Sequence, residues 1–436
     1  MKQKRRLVCM VLALVLLGTG CGPRALNRPQ GGKLEEITEI AALGEITGHR
    51  AAKGSFYFTA MNQEGYGYYA LDLTSKEITL LFDQIDNYLS FIPIDAGKAI
   101  YVDEEDQLFY LEGEAHVKLD DDISGLNSPN VILSPDGTRV LYTKGIGAGA
   151  SLYYIALPDG APKRVIGALE EEAFNTFHFT TQWSNLGKYF TYYHQQVFDA
   201  DANLVASFLG TSSKWSPTDE YIAFIKIPPE KDSNTITIGD WHTFVGRELM
   251  IYELESGRET IIFNDAEGFI DPIESIQWSP SGKKLAISHG KIVAQERYLE
   301  KINYDKILVY HLKTQKKESI EPMAYNFYNF LQEETLYGNN LGVKEALEVV
   351  SLQTKARTKF DTPVILNNRD MYRITDGEKA YLVDGQRLLE IDGKGENRQL
   401  MALPWELYSL YYDHETQTFI MINRDKGLYI IQKASL

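Results

Sequence analysis

Residues 275–288 read SIQWSPSGKKLAIS, and this stretch decides the fold. It predicts a strand, a tight turn and a second strand. Pro280 favours the second corner of a turn because its ring fixes φ, and Gly282 tolerates the positive φ that closes the turn. After the turn, Leu285 and Ile287 alternate with small or polar neighbours, which is the period of a half-buried strand.

The same pattern recurs along the chain. Further copies read LSPDGTRVLY at 133–142, WSNLGKYFTY at 183–192 and WSPTDEYIAF at 215–224. Aligned on the turn glycine or its substitute, nine candidate units begin near residues 54, 97, 137, 187, 219, 282, 333, 377 and 416. Most continue with further strands and a second turn. Four strands per unit and a spacing often in the forties are typical of β-propeller blades.

Two features carry a resemblance to a known family. The Trp-Ser-Pro-x-Gly turn followed by an apolar strand, together with IDGKGENRQL at 391–400, resembles the repeats of TolB-type propellers, also called WD40-like or PD40 repeats. The resemblance covers most of residues 45–436 and implies an all-β propeller of four-stranded blades, formed by residues 34–436 as a single domain. We expect eight blades, within a range of seven to nine. Residues 35–40 should supply the outermost strand that the last unit lacks and so close the ring.

The amino terminus has the zones of a secretory signal. Residues 1–6 are basic, Leu7–Leu17 are apolar, and small residues precede Cys21. The apolar run is too short to cross a hydrocarbon core of about 30 Å. It resembles a bacterial lipoprotein signal, with Gly18 where leucine is usual. This resemblance implies a signal peptide at 1–20, a lipidated Cys21 and a flexible tether at 21–33. Simple secretion and an uncleaved membrane segment are the alternatives.

These features predict an extracytoplasmic protein held on the cell membrane, or on the outer membrane if the source has one. The chain carries 44 basic and 60 acidic residues, a formal net charge of −16, so nucleic acid is excluded as a partner by charge repulsion. Its two cysteines, Cys9 and Cys21, lie in the first 21 residues, which leaves the body without disulfides or thiol chemistry. We expect a monomer.

No sequence motif indicates a catalytic, metal or cofactor site. Gly-x-Ser-x-Gly, paired metal-binding histidines and a phosphate loop are missing from the sequence, so we expect no cofactor and no metal. The acidic runs 103–106, 120–122 and 170–172 are interpreted as solvated loops. Residues 199–203 begin like a calcium loop, but Leu204 and Gly210 stand where such loops need glycine and glutamate, which favours a hairpin turn.

The repeated tryptophans and prolines are interpreted as structural residues. A residue that recurs at one repeat position is better explained by packing between blades than by binding. This set comprises Trp183, Trp215, Trp278, Pro135, Pro217 and Pro280.

The long connections are the candidate binding region. In a four-stranded antiparallel blade, the second-to-third loops and the connections between blades share one face. Rigid scaffolds usually carry function on such loops, although self-packed loops are the alternative here. The candidate binding residues are Trp241, His242, Phe244, Arg297, Tyr298 and Trp405, and connections on that face also hold Tyr88, Phe177, Tyr325, Tyr328 and Arg369.

The favoured function is a membrane-tethered, non-enzymatic binding or scaffold protein for an envelope protein or glycan. The alternative is a propeller enzyme, a sugar lyase or hydrolase, with its site at the mouth of the central channel, because fold alone does not decide function. Convergence of at least two side chains around one pocket would favour the enzyme; the candidates are His178, His242, His289, Arg297 and Arg369.

Overall fold

A computed structural model gives the architecture of residues 34–435. The described residues exclude positions 39, 41–42, 64, 96, 126–128, 176, 227–234, 239–240, 245–247, 265–268, 271–275, 294–300, 321–326, 340–346, 361–372, 376–378, 385, 393, 395, 424 and 426. Within this part of the chain, the strands form nine antiparallel sheets that succeed one another along the sequence, together with one separate hairpin. The protein is a nine-bladed β-propeller.

The first strand, β1 (Glu35–Glu36), belongs to the last blade. Blades 1 to 4 contain, from the innermost strand outward, β2 (Ile46–Ala52), β3 (Ser55–Met61), β4 (Tyr66–Asp72) and β5 (Ile78–Phe82); β6 (Ser90–Asp95), β7 (Lys98–Val102), β8 (Leu108–Glu112) and β9 (Ala115–Asp120); β10 (Val131–Leu133), β11 (Arg139–Lys144), β12 (Ser151–Ala156) and β13 (Lys163–Ile166); and β14 (Gln182–Trp183), β15 (Tyr189–Tyr192), β16 (Gln196–Asp199) and β17 (Leu204–Ser207).

Blade 5 contains β18 (Gly210–Trp215), β19 (Tyr221–Lys226), β22 (Glu248–Glu253) and β23 (Arg258–Asn264), with the hairpin β20 (Thr235–Ile238) and β21 (Trp241–Phe244) inserted between its second and third strands. In blade 6 the innermost position is divided between β24 (Phe269–Ile270) and β25 (Gln277–Trp278), which both pair with β26 (Lys284–Val293); β27 (Lys301–His311) and β28 (Lys317–Ile320) follow.

Blades 7 to 9 contain β29 (Phe327–Gln332), β30 (Thr335–Asn339), β31 (Leu347–Ser351) and β32 (Arg357–Phe360); β33 (Arg373–Thr375), β34 (Ala380–Asp384), β35 (Arg387–Ile391) and β36 (Asn397–Ala402); and β37 (Leu407–Asp413), β38 (Thr418–Asn423) and β39 (Leu428–Gln432), with β1 outermost. The described residues also include two short helices, α1 (Glu171–Asn175) and α2 (Phe177–Thr180). No helix in the described part of the chain is long and apolar enough to cross a bilayer.

Nine blades lie at the upper end of the expected range. The 32-residue spacing between Gly187 and Asp219 accommodates a complete blade repeat, because β15, β16 and β17 have only four residues each and the turns between them are short. The predicted ring closure is confirmed: Glu35 pairs with Ile430 and Glu36 with Tyr429, so the amino-terminal strand completes blade 9. The acidic run 170–172 was interpreted as a solvated loop, but α1 begins at Glu171.

The hydrophobic core lies between neighbouring blades. Phe56 and Phe58 of blade 1 pack in one cluster with Ile420 and Ile422 of blade 9, which seals the ring where its two ends meet. Strands that are apolar on both faces are expected in a propeller, since each blade is covered on two sides. Burial between blades therefore stabilises the closed ring, and no blade has an independent core.

The recurring serine of the repeat fixes each tight turn. In the four clearest copies this serine is buried, and its hydroxyl accepts a hydrogen bond from the backbone N–H five residues later at 2.9–3.0 Å. The backbone N–H of the fourth turn residue also donates to the serine carbonyl. The serines are Ser134, Ser184, Ser216 and Ser279. The repeat sequence thus satisfies turn polar groups that would otherwise be buried without partners.

Two carboxylates join the tight turns of neighbouring blades. Asp219, which replaces the turn glycine of blade 5, accepts hydrogen bonds from the Ser184 hydroxyl at 2.6 Å and the Leu186 backbone N–H at 3.0 Å in blade 4. Glu333 in the β29–β30 turn of blade 7 makes the same two contacts to Ser279 and Ser281 of blade 6, at 3.0 and 3.2 Å. Each acid therefore bridges the first and third positions of the preceding turn.

We expect Asp219→Gly to lower the free energy of unfolding by about 2–3 kcal/mol, because hydrogen bonds to a charged group are lost and buried donors are left unpaired. Asp219 has a φ of 60°, which glycine adopts freely, so this variant isolates the bridge from backbone strain. Denaturant unfolding followed by circular dichroism measures the effect. Asp219→Asn, which keeps one acceptor oxygen, should be intermediate. A glycine variant as stable as the parent would show that the bridge contributes nothing.

Candidate functional site

The propeller has two faces that differ in the length of their connections. The turns from first to second strand and from third to fourth strand lie on one side, here called the short-turn face. It includes the tight turns at 134–137, 216–219 and 279–282. The second-to-third connections and the connections between blades lie on the opposite side, here called the loop face.

Two neighbouring blades extend the loop face with paired strands. In blade 5, β20 and β21 pair from Thr235 with Phe244 to Ile238 with Trp241, between the second and third strands of the blade. In blade 6, the β26–β27 ladder continues as far as the pair Val293 and Lys301. By contrast, the corresponding turn of blade 4 spans only residues 193–195. The longest structured connections of the described residues therefore belong to two neighbouring blades.

The sequence-predicted binding residues fall largely in these extensions. Trp241, His242 and Phe244 lie on β21, where the backbone is described and the side chains are not. Arg297 and Tyr298 lie outside the described residues, as do Tyr325 and Arg369. The convergence that would favour an enzyme therefore stays a prediction for His242, Arg297 and Arg369.

The remaining candidates occupy different environments. Trp405 is half-buried and its ring lies 4.6 Å from that of Tyr429, beside the strand that closes the ring. Phe177 and Tyr328 were predicted to lie in loop-face connections. Phe177 lies on α2 and Tyr328 on β29, and both side chains are buried in apolar clusters between blades. His289 is also buried. His178 lies on α2, where burial lowers its pKa.

The loop face also exposes large apolar side chains. Ile146 is the most exposed of these, at 84%, in the blade 3 connection between β11 and β12. Gly145, Gly147 and Gly149 around it have φ values of 81°, 59° and 99°, a conformation that favours glycine and holds the isoleucine at the tip of a tight loop. Met61, Leu89 and Leu209 are about half exposed at other loop-face positions. On the short-turn face, Leu186 is the comparable residue, at 52%.

His194 is a loop-face residue that sequence reasoning missed. It lies in the turn between β15 and β16, its backbone N–H donates to the Thr180 carbonyl at 3.2 Å, and its Nδ1 lies 3.0 Å from the Ser213 hydroxyl of blade 5. Burial and the positive charge of Lys214 lower its pKa to about 4, so the imidazole is neutral at physiological pH. Ser213 is only 1% exposed, which closes this serine–histidine pair to a substrate.

The described residues hold no group of three or more His, Cys, Asp or Glu side chains placed to bind a metal ion. The calcium-like stretch 199–203 forms a hairpin turn. There the Asp199 carboxylate accepts hydrogen bonds from the backbone N–H groups of Asp201 and Asn203, at 3.0 and 2.8 Å. Asp120, in another acidic run, is less solvated than expected because it pairs with Lys144 at 2.9 Å. The carboxylates of Asp199 and Asp120 are therefore engaged in hydrogen bonds or an ion pair within the fold.

Comparison with known proteins returned similarity in structure alone. No protein-family model matches the chain, and no curated protein matches its sequence. An oligogalacturonate lyase in complex with manganese aligns over 93% of this chain and 94% of its own, with 12% identity and a TM-score of 0.39. TolB from Acinetobacter baumannii aligns over 72% and 78%, with 13% identity and a TM-score of 0.31. A eukaryotic initiation factor aligns over 70% and 76%, with 12% identity and a TM-score of 0.44.

These similarities include both an enzyme and TolB, at identities too low to transfer a function. TM-scores below 0.5 carry no argument beyond the fold. The assignment of a propeller rests on the strand pairing of this chain, and the assignment of a function has to rest on its own surface.

Proposed function

We propose that this protein is an extracytoplasmic, membrane-tethered propeller that binds an envelope protein or glycan through its loop face, without catalysing a reaction on it. Lipidated Cys21 would hold it to the membrane, and residues 22–33 would connect that anchor to the ring.

The observation that carries the proposal is the unequal construction of the two faces. Blades 5 and 6 lengthen the same connection into paired strands, whereas the tight turns opposite are bonded to one another through Asp219 and Glu333. A two-stranded hairpin gains little stability by itself in water. Structured extensions of this kind, on the same face as the exposed Ile146 of blade 3, are well suited to contact a partner.

The first test addresses attachment. Cys21→Ser should move the protein from the membrane fraction to the soluble fraction, because stable attachment requires acyl chains that only the cysteine can receive. Fractionation of cells expressing each form, with mass spectrometry of the amino-terminal peptide, measures this. A membrane-bound serine variant, together with an unmodified Cys21 in the parent, would overturn the lipid anchor.

The second test addresses the binding face. Ile146→Glu should reduce capture of the partner at least about tenfold, since burying an unpaired charge in an interface costs more than about 1.4 kcal/mol. The control is Leu186→Glu, which places the same charge at an apolar position of the short-turn face that is 52% exposed, against 84% for Ile146. The tagged mature protein is used as bait on detergent-solubilised envelope, with quantitative mass spectrometry and a thermal unfolding check. Loss of capture in the Leu186 variant alone would overturn the assignment.

A further inference from the structure

The direction of the closing strand determines the side on which the amino-terminal segment leaves the ring. β1 pairs antiparallel with β39, the third strand of blade 9, and so takes the direction of a fourth strand. Fourth strands run from the short-turn face to the loop face. Leu34 therefore lies at the short-turn end of the outermost strand.

Two contacts support this direction independently. Glu35 forms an ion pair of 3.7 Å with Lys76, which lies in the β4–β5 turn on the short-turn face. Ile37 donates its backbone N–H at 2.9 Å to the carbonyl of Leu428, the first residue of β39 and hence its loop-face end. Between these two residues the chain runs in the direction from the short-turn face to the loop face.

We infer that the short-turn face is turned towards the membrane and that the loop face points away from it. The inference rests on the proposed anchor at Cys21. The 13 residues from Cys21 to Leu34 reach at most about 45 Å, and a flexible chain of that length averages about 20 Å between its ends. Bringing the loop face to the bilayer would require this segment to run up the outside of blade 9, a strand length of about 20 Å.

This orientation restricts the partner. Ile146 and the β20–β21 hairpin face away from the lipid, so they meet a partner that approaches from the aqueous side, and they do not insert into the bilayer.

The test couples a fragment beginning at Cys21, its only cysteine, to a maleimide lipid in phosphatidylcholine vesicles that contain a headgroup-linked energy acceptor. A donor dye is attached through an unnatural azide residue at Glu114 on the short-turn face or at Ala148 on the loop face; both positions are exposed. Energy transfer should be clearly higher from position 114, since the two faces are about 20 Å apart. Equal transfer, or higher transfer from position 148, overturns the inference.

The control moves the attachment point. In a Cys21→Ser, Ile146→Cys variant the lipid is coupled on the loop face, and the order of the two transfer efficiencies should reverse. Because the lipid is attached chemically, the result does not depend on whether cells acylate Cys21. Failure of the orientation and failure of the proposed anchor are therefore separate outcomes.

Discussion

Trp215→Ala is expected to lower the free energy of unfolding by about 3–5 kcal/mol, the usual cost of truncating a buried tryptophan. Trp215 ends the innermost strand of blade 5, is 7% exposed, and its ring stacks on that of Tyr189 in blade 4 at 5.8 Å. Removing it leaves a cavity between two blades, where neither sheet can close the gap without moving the ring. Denaturant unfolding followed by circular dichroism measures the loss.

Trp278→Ala supplies the comparison at the same repeat position. Trp278 is only half-buried, and its indole N–H donates to the Lys214 carbonyl of the preceding blade at 3.1 Å. Its truncation should cost less than that of Trp215, because part of the ring already contacts water. A loss below about 1 kcal/mol at Trp215 would contradict the assignment of this residue to packing between blades.

The propeller could be predicted from sequence because each repeat is marked by turn residues that lie close together in the chain. A proline at the second turn position and a glycine with positive φ at the fourth identify a turn within a few residues, as at Pro280 and Gly282 or at Pro135 and Gly137. The bridges made by Asp219 and Glu333 could not be predicted. In the sequence, both residues simply stand where other repeats have the turn glycine. Their hydrogen bonds to Ser184 and Ser279 become visible only in the folded structure, where the turns of neighbouring blades lie together.

The candidate site was predictable only in outline. Strand alternation assigns each long connection to a face, which placed the connections that carry Trp241 and Arg297 on the loop face. Burial of an aromatic side chain depends on contacts distant in sequence, so the sequence placed Phe177 in a loop-face connection without showing that it packs against blades 3 and 4. Likewise, nothing near His194 in the sequence indicates its contact with Ser213, nineteen residues away in another blade.

The contact of His194 has a consequence for stability. An unperturbed histidine has a pKa near 6.5, whereas His194 in the folded protein has a pKa of about 4. Between these values the unfolded chain binds a proton that the folded protein does not bind, so acid favours unfolding. The stability associated with the neutral imidazole is fully present above about pH 6.5 and is lost as the pH falls towards 4.

We therefore expect His194 to account for about 2–3 kcal/mol of stability lost between pH 7 and pH 4, given about 1.4 kcal/mol per pKa unit and partial exposure of the ring. His194→Gln should flatten the dependence of the unfolding free energy on pH in this range, because its side chain has no proton to gain. His414→Gln is the matched control, since it makes the same replacement at an exposed histidine outside this contact. Denaturant unfolding at several pH values gives the slope of the unfolding free energy against pH for each protein. Equal slopes for the parent and His194→Gln would show that this imidazole does not destabilise the propeller in acid.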